Sequence, residues 1–351
     1  MLAAASQRQE SGMYIWGVQT VLPDHRYEQE EITEAFARLT NADEGLLKRF
    51  HTATGVTGRN LALPLEEYAK LDSFGRANEV YAEVALDLGE RAIAGALEKA
   101  GLPPERVDHL VFCSTTGMAT PSLDARLAQR AGLRADVKRV PVFGLGCAAG
   151  AAGLARLHDY LRGWPGQVAL LVCVELCSLT VQRDDTSIAN LVASGLFGDG
   201  AAAVVATGHG TGREVVATRS RLYPGTERMM GWEIGEHGFR IVLDAELPDF
   251  VDRVLAPDVA AFLADNGLTP GQVGTWICHP GGPKVIDKLA AALELPPEAL
   301  EVTWRSLRDH GNLSSVSVLH VLQETRGRRD QPAVLMALGP GFSAELLLLH
   351  W

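Results

Sequence analysis

GLPPERVDHLVFC (residues 101–113) decides the fold, because the chain repeats it as GLTPGQVGTWICH (residues 267–279). Gly, Leu, Pro and Val recur at matching positions 166 residues apart, each time after a helical pattern and before an apolar strand. Self-similarity at such a distance signals one supersecondary unit built twice. Around the two copies, apolar runs alternate with amphipathic helical patterns. The strand candidates are HLVFCS (109–114), RVPVF (139–143), VALLVCVEL (168–176), AAAVVAT (201–207), TWICH (275–279) and AVLMALG (333–339). The helical patterns include Tyr81–Ala100 and Phe250–Asn266. This alternation predicts an α/β fold with buried, near-continuous strands. Each half closes on a glycine turn before its last strand, GDGAAAVV (198–205) and GPGFSAELLLL (339–349). The halves are expected at 13–208 and 209–351, after a disordered tail over 1–12.

The bulk numbers narrow the function. A chain of 351 residues with 47% hydrophobic content suits one large or two fused globular domains. Its net charge of −11, from 32 basic and 43 acidic residues, argues against a nucleic-acid face. An anionic substrate therefore needs a local basic patch. MLAAASQRQESG at the start lacks an apolar core of signal-peptide length, and no run approaches the roughly 20 apolar residues of a membrane span. The five cysteines are odd in number and form no CxxC pair, so zinc and disulfide readings are weak and a reducing cytoplasm is expected.

The repeat also aligns chemically capable residues. VFGLGCAAGAAGL (142–154) reads as strand, glycine turn and helix start, with Cys147 at the bend. A cysteine in apolar surroundings is most often an inert core residue. At a helix N-terminus, however, the dipole favours a thiolate by up to about 2 kcal/mol, enough to bring a thiol from about 8.5 to about 7. A robust nucleophile needs a histidine as well. His279 ends the strand TWIC and opens the turn HPGGP, with a purely structural histidine as its alternative. Cys147 lies 34 residues beyond Cys113, and Asn312 lies 33 beyond His279, each preceded by glycine. A pseudo-twofold arrangement then makes Cys147, His279 and Asn312 neighbours. Asn312 alternatively reads as a helix N-cap; as a site residue it donates hydrogen bonds to a developing oxyanion without opposing its charge. Gly144, Gly146 and Gly150 give GxGxxxG, which fits neither a dinucleotide nor a phosphate loop.

Taken together, GLGCAAG (144–150), VELCSL (174–179), LFGDGAAAVV (196–205), HPGGPKVID (279–287), GNLSS (311–315) and LGPG (338–341) resemble the type III polyketide synthases, the chalcone synthase-like condensing enzymes. The resemblance covers residues 13–351 and is most similar in flavour to actinobacterial members that form alkylpyrones or alkylresorcinols from fatty acyl-CoA. It implies a thiolase-like fold, two βαβαβαββ halves in a five-layered αβαβα core, and a homodimer. It implies Cys147 as the acylated nucleophile, with His279 and Asn312 holding the thioester carbonyl of malonyl-CoA during decarboxylation. It implies Phe197 as a gatekeeper, with Phe239 or Ile241 as the second, and Thr115, Thr120, Cys177, Thr180, Gly231 and Ser314 around the cavity. Thr120 would reach across the dimer interface. LGPG stands where plant members carry GFGPG, so that wall is expected to differ in shape.

Mostly small cavity residues suggest room for a long aliphatic starter, with ordinary small-residue packing as the alternative. For the coenzyme A phosphates the basic residues Lys48, Arg59 and Lys284 are the candidates, with solvated surface charge as the plainer reading of each. No metal or further cofactor is expected beyond coenzyme A thioesters. The rival readings are a β-ketoacyl carrier-protein synthase III performing one condensation, and a non-catalytic acyl-CoA-binding protein.

Overall fold

In the computed structural model, residues 12–40, 42–329 and 331–351 are described; all of the expected tail except Gly12 lies outside them. The first half opens with β1 (Met13–Val21). The short antiparallel strands β2 (His25–Glu28) and β3 (Gly58–Leu61) bracket α1 (Gln29–Thr40) and α2 (Glu44–Ala53). Then follow α3 (Phe74–Ala100), β4 (Val107–Cys113), α4 (Leu123–Arg130), β5 (Lys138–Val142), α5 (Ala149–Gly163), β6 (Val168–Leu176), α6 (Ile188–Leu196) and β7 (Asp199–Thr207). The second half runs β8 (Arg213–Leu222), β9 (Met230–Gly235), β10 (Gly238–Leu243), α7 (Leu247–Asp265), β11 (Thr275–Cys278), α8 (Pro283–Ala292), α9 (Glu301–His310), α10 (Ser315–Glu324), β12 (Ala333–Gly339) and β13 (Ser343–His350). Local chemistry sets the helix ends. In α3, Ser73 caps the amide of Arg76, and Gly101 takes the left-handed conformation (φ 64°) that ends the helix.

The duplication appears in the strand pairing. The first half has the order β5-β4-β6-β7-β1 and the second β11-β12-β13-β8. β4/β6 and β11/β12 are parallel, β6/β7 and β12/β13 antiparallel, and β7/β1 and β13/β8 antiparallel. A short β1/β8 pairing joins the two into nine strands. The second half departs from the expected pattern once. Where the first half places β5, it places α9, whose sequence EVTWRSLRDH buries Thr303, Ser306 and Leu307 on one helical face.

Period-two burial shows the layers. In β7, Ala202, Val204 and Ala206 join one core, whereas Ala201, Ala203 and Val205 join another. In β12, Ala333, Leu335 and Ala337 share that first core, whereas Val334, Met336 and Leu338 join a third. The shared core contains α5 and α10, between the sheets. α3 and α4 cover one outer face, and α7 and α8 cover the other. This is the five-layered αβαβα arrangement, and it buries the central strands β4, β6, β7, β12 and β13 on both faces.

The middle layer sets the site. α5 and α10 approach so closely that a Cβ on Gly150 would overlap the Ser315 carbonyl oxygen. Backbone cannot yield as a flexible side chain can. Gly150→Ala is therefore expected to cost about 1–3 kcal/mol in denaturant unfolding, and to move the residues that begin both helices. An unchanged unfolding midpoint would contradict this packing.

Candidate active site

Cys147 sits in a single 3-10 turn (Gly146–Ala148) that runs into α5, and it is buried. The elbow needs glycine. Gly144 and Gly146 have φ of 95° and 49°, and a Cβ on Gly146 would lie 2.7 Å from Pro340 Cδ. The LGPG turn closes on the elbow from the second half. A Cβ on Gly339 would lie 2.6 Å from the Leu145 carbonyl oxygen and 2.7 Å from the Ala148 nitrogen.

His279 leaves β11 with its amide donating to the Met336 carbonyl at 2.9 Å. Its imidazole is buried, and neither ring nitrogen has a partner within the described residues. Burial of a polar ring without hydrogen bonds is costly unless something else is to be bound. Asn312 is held on every side. Its amide donates to the Leu196 carbonyl (2.8 Å), its carbonyl accepts from Gly198 (3.0 Å), and its Nδ2 donates to the Gly281 carbonyl (3.3 Å). Its Oδ1 accepts from the Ser314 amide at 2.8 Å. The Cys147 Sγ lies 4.0 Å from that Oδ1 and 3.8 Å from Ser314 Oγ. Cys147, His279, Asn312 and Phe197 together line one cavity of about 40 Å³. The repeat thus brings together residues 165 apart in the chain.

Phe197 is fixed to the site by a backbone bridge to Asn312. It also lines a second cavity of about 470 Å³, together with Cys177, Thr180, Trp232 and Ile241. Of the two candidates for the second gate, Ile241 faces this cavity. Phe239 instead packs on Phe74, Phe143 and Trp232, with centroids 5.5, 6.4 and 6.0 Å away. Thr115 is buried and lines neither cavity; it donates to Glu175. Gly231 lines neither, in a conformation (φ 155°) suited to glycine. Thr120 is exposed, beside the exposed Met118. Lys48 is exposed and paired with Glu30 at 3.2 Å, and Lys284 is exposed at the start of α8. Arg59 is the correction. Only 2% exposed, it donates through Nη1 to the Phe197 carbonyl (2.5 Å) and through Nε to Gln29 Oε1 (3.2 Å), so it cannot reach a phosphate in solvent.

Glu175 was not among the residues singled out from sequence, although a carboxylate within the apolar run VALLVCVEL is a signal in itself. It is fully buried and accepts from the Thr115 amide, Thr116 Oγ1, Ser314 Oγ and Ser315 Oγ. Burial raises its pKa to about 6, although these donors oppose the shift. Ser314, in the strained positive-φ region (φ 51°), bridges Glu175 to Cys147.

Electrostatics correct the expected thiol near 7. Burial pushes Cys147 up to about 12, the Glu175 charge adds to this, and contacts with Ser314 and Asn312 only partly oppose it. Burial alone lowers His279 to about 3. Burial thus acts against charge on both groups and favours a neutral thiol beside a neutral imidazole. Attack then requires proton transfer from Cys147 as the bond forms. Alkylation of Cys147 by iodoacetamide is expected to rise about tenfold per pH unit between 7 and 9. A rate already flat above pH 6 would show a standing thiolate.

A buried cysteine, an imidazole with no partner among the described residues and a fixed carboxamide meet where the duplicated halves join, an arrangement suited to a condensing acyltransferase of thiolase-like fold. Comparison with known proteins agrees. Chalcone and stilbene synthases, N-terminal domain, match residues 3–210, and the C-terminal domain matches residues 214–351. The 1,3,6,8-tetrahydroxynaphthalene synthase of Streptomyces peucetius subsp. caesius is 57% identical over 97% of this chain and 94% of its own. The crystal structure of the Streptomyces coelicolor A3(2) enzyme of that name, a bacterial type III polyketide synthase, superposes with a TM-score of 0.91 at 32% identity, covering 96% of this chain and 99% of that one. PKS-I from the brown alga Ectocarpus siliculosus superposes at 0.92 with 26% identity, over 98% and 99%. The chain belongs to the chalcone and stilbene synthase family, the type III polyketide synthases.

Proposed function

We propose that the protein primes and extends a chain with malonyl-type coenzyme A thioesters and closes it to a tetrahydroxynaphthalene-type aromatic. The supporting observation is the 57% identity, over nearly the whole of both chains, to a synthase of that product. The product itself constrains the starter. Around its ring perimeter oxygenated and bare carbons alternate except at one fusion carbon, as five two-carbon units joined head to tail leave them once one carbonyl condenses with loss of water. Whichever way such a chain folds onto the two rings, its first carbon makes at least one new carbon–carbon bond as a nucleophile. A carboxyl group on that carbon provides the acidity, and a fatty acyl tail does not.

The site residues take these roles. Cys147 Sγ attacks the starter thioester, its proton passes to His279, and coenzyme A leaves as its thiol. The malonyl thioester carbonyl then accepts hydrogen bonds from His279 and Asn312. Carbon dioxide departs, and the bonding pair becomes an enolate that these donors stabilise. The enolate carbon attacks the Cys147 thioester, and sulfur leaves. Loss of carbon dioxide and cleavage of the thioester drive the step, so no redox cofactor or metal is invoked. A single carrier-protein-dependent condensation is not favoured, since both halves match the polyketide family.

A fatty acyl starter, giving an alkylpyrone or alkylresorcinol, remains the second reading. It is favoured by the 470 Å³ cavity, which falls in the usual range for ligand pockets of about 300–1,000 Å³ and carries Ile32, Phe36, Leu39 and Leu61 on its wall. We further propose a homodimer through the edge strand β5, where Val140 and, just after the strand, Phe143 are 41% and 49% exposed. Lys48 and Lys284 remain the proposed phosphate contacts. Five free, buried cysteines support a cytoplasmic setting, and among the described residues no helix is long and apolar enough to cross a membrane.

Mass analysis of products formed from malonyl-CoA alone, and with octanoyl-CoA added, tests the starter. A ten-carbon aromatic from malonyl-CoA alone is expected. Product only in the presence of octanoyl-CoA would overturn the first reading for the second.

A further inference from the structure

The 470 Å³ cavity beyond Phe197 holds a cation that the roles above leave unused. We propose that Arg59 receives the terminal carboxylate of the growing chain and so selects starters that carry one, an inference that rests on the malonyl-primed reading.

Three of its guanidinium nitrogens have different fates. Nη1 donates to the Phe197 carbonyl, and Nε donates to Gln29 Oε1. Nη2 is buried and has no partner within the described residues. Asp199 lies near enough to act on Arg59 electrostatically, but its oxygens are already engaged. Oδ1 accepts from the Ser178 amide, and Oδ2 accepts from the Ala62 amide and the Ser178 hydroxyl. The guanidinium thus has charge compensation below it and an unused donor beside the cavity that it lines. The other charged groups on that wall, Arg38 and Glu66, are solvent-exposed, and Arg38 is paired with Glu34. Arg59 is the buried charge. A carboxylate is the ligand that a guanidinium donor matches in charge and geometry.

The direction of chain growth makes this a reading of the starter. Each condensation occurs at the thioester on Cys147, so every new unit enters there and pushes the first unit farther away. Phe197 separates the two cavities and lines both. A charge beyond it meets the oldest end of the chain. Extender carboxylates are lost beside His279 and Asn312 and never reach it. Held at Arg59, the starter carboxyl stays on the chain until ring closure, and its carbon keeps the acidity that closure needs.

The test compares two starters of equal length within one protein. Glutaryl-CoA and valeryl-CoA are each supplied with limiting malonyl-CoA, and the products they start are counted by mass. The wild-type enzyme is expected to favour the carboxylated starter by about tenfold to a hundredfold, the worth of a charged hydrogen bond. In Arg59→Gln that ratio is expected to fall towards one, and Arg59→Lys should restore part of it. A merely structural arginine would lower both products together and leave the ratio unchanged, which would overturn the proposal. Should the variants fail to fold, a wild-type preference for valeryl-CoA overturns it alone, and a preference for glutaryl-CoA supports it. Tetrahydroxynaphthalene formed by wild-type enzyme from malonyl-CoA with no glutaryl preference would remove the role of Arg59 and leave the proposed function standing.

Discussion

The close crossing of α5 and α10 is the constraint on which the site depends. Cys147 precedes the first helix and Asn312 the second, so the helix separation sets the gap between sulfur and carboxamide. Gly150 permits that separation by offering only hydrogen to the Ser315 carbonyl. The flanking turns are equally tight. Gly198 passes so close to the His310 carbonyl that a Cβ would overlap it, and Gly311 leaves a would-be Cβ 2.6 Å from the Leu196 carbonyl. Phe197 and Asn312 can therefore pair through their backbones, which fixes the phenyl-bearing residue to the carboxamide-bearing one.

The second constraint is dryness. Cys147, His279 and Asn312 are all buried, and Glu175 beside them has hydroxyl and amide donors but, among the described residues, no cation bonded to it. In such surroundings a hydrogen bond is stronger than in water, and an unpaired group is costly. Burial therefore acts against charge on both the thiol and the imidazole. It also sets apart the ring nitrogens of His279 and Nη2 of Arg59, which have no partner among the described residues and belong to side chains that line the two cavities.

Much of this was legible in the sequence. The repeat between 101–113 and 267–279 gave the layered duplication, because strand burial on both faces leaves continuous apolar runs that survive as a pattern. It also brought Cys147, His279 and Asn312 into register. What was not legible depends on burial and on long-range approach. EVTWRSLRDH takes the place of a strand with Thr303, Ser306 and Leu307 buried at helical spacing, and two of these three are polar, so an apolar pattern does not reveal it. Arg59 looked like a surface cation because charge in sequence carries no depth; only the arrival of Asp199 and the Phe197 carbonyl from the other end of the half makes its burial tolerable. Phe239 and Ile241 lie two apart on one face of β10, so alternation cannot separate them; position along the strand does, with Phe239 against Phe74 and Phe143 and Ile241 at the cavity. The thiol expected near 7 was misjudged for the same reason as Arg59, since the helix dipole is visible in a sequence and desolvation is not.

The central claim is that one sulfur, completed by two residues from the other half of the chain, carries the acyl group. The most direct measurement is peptide mapping by mass spectrometry after brief incubation with a single acyl-CoA and no extender. The account expects one acyl increment, on the peptide that holds Cys147, with Cys113, Cys173, Cys177 and Cys278 unmodified. An acyl group on any of those four instead, or no covalent adduct while product still forms, would contradict it.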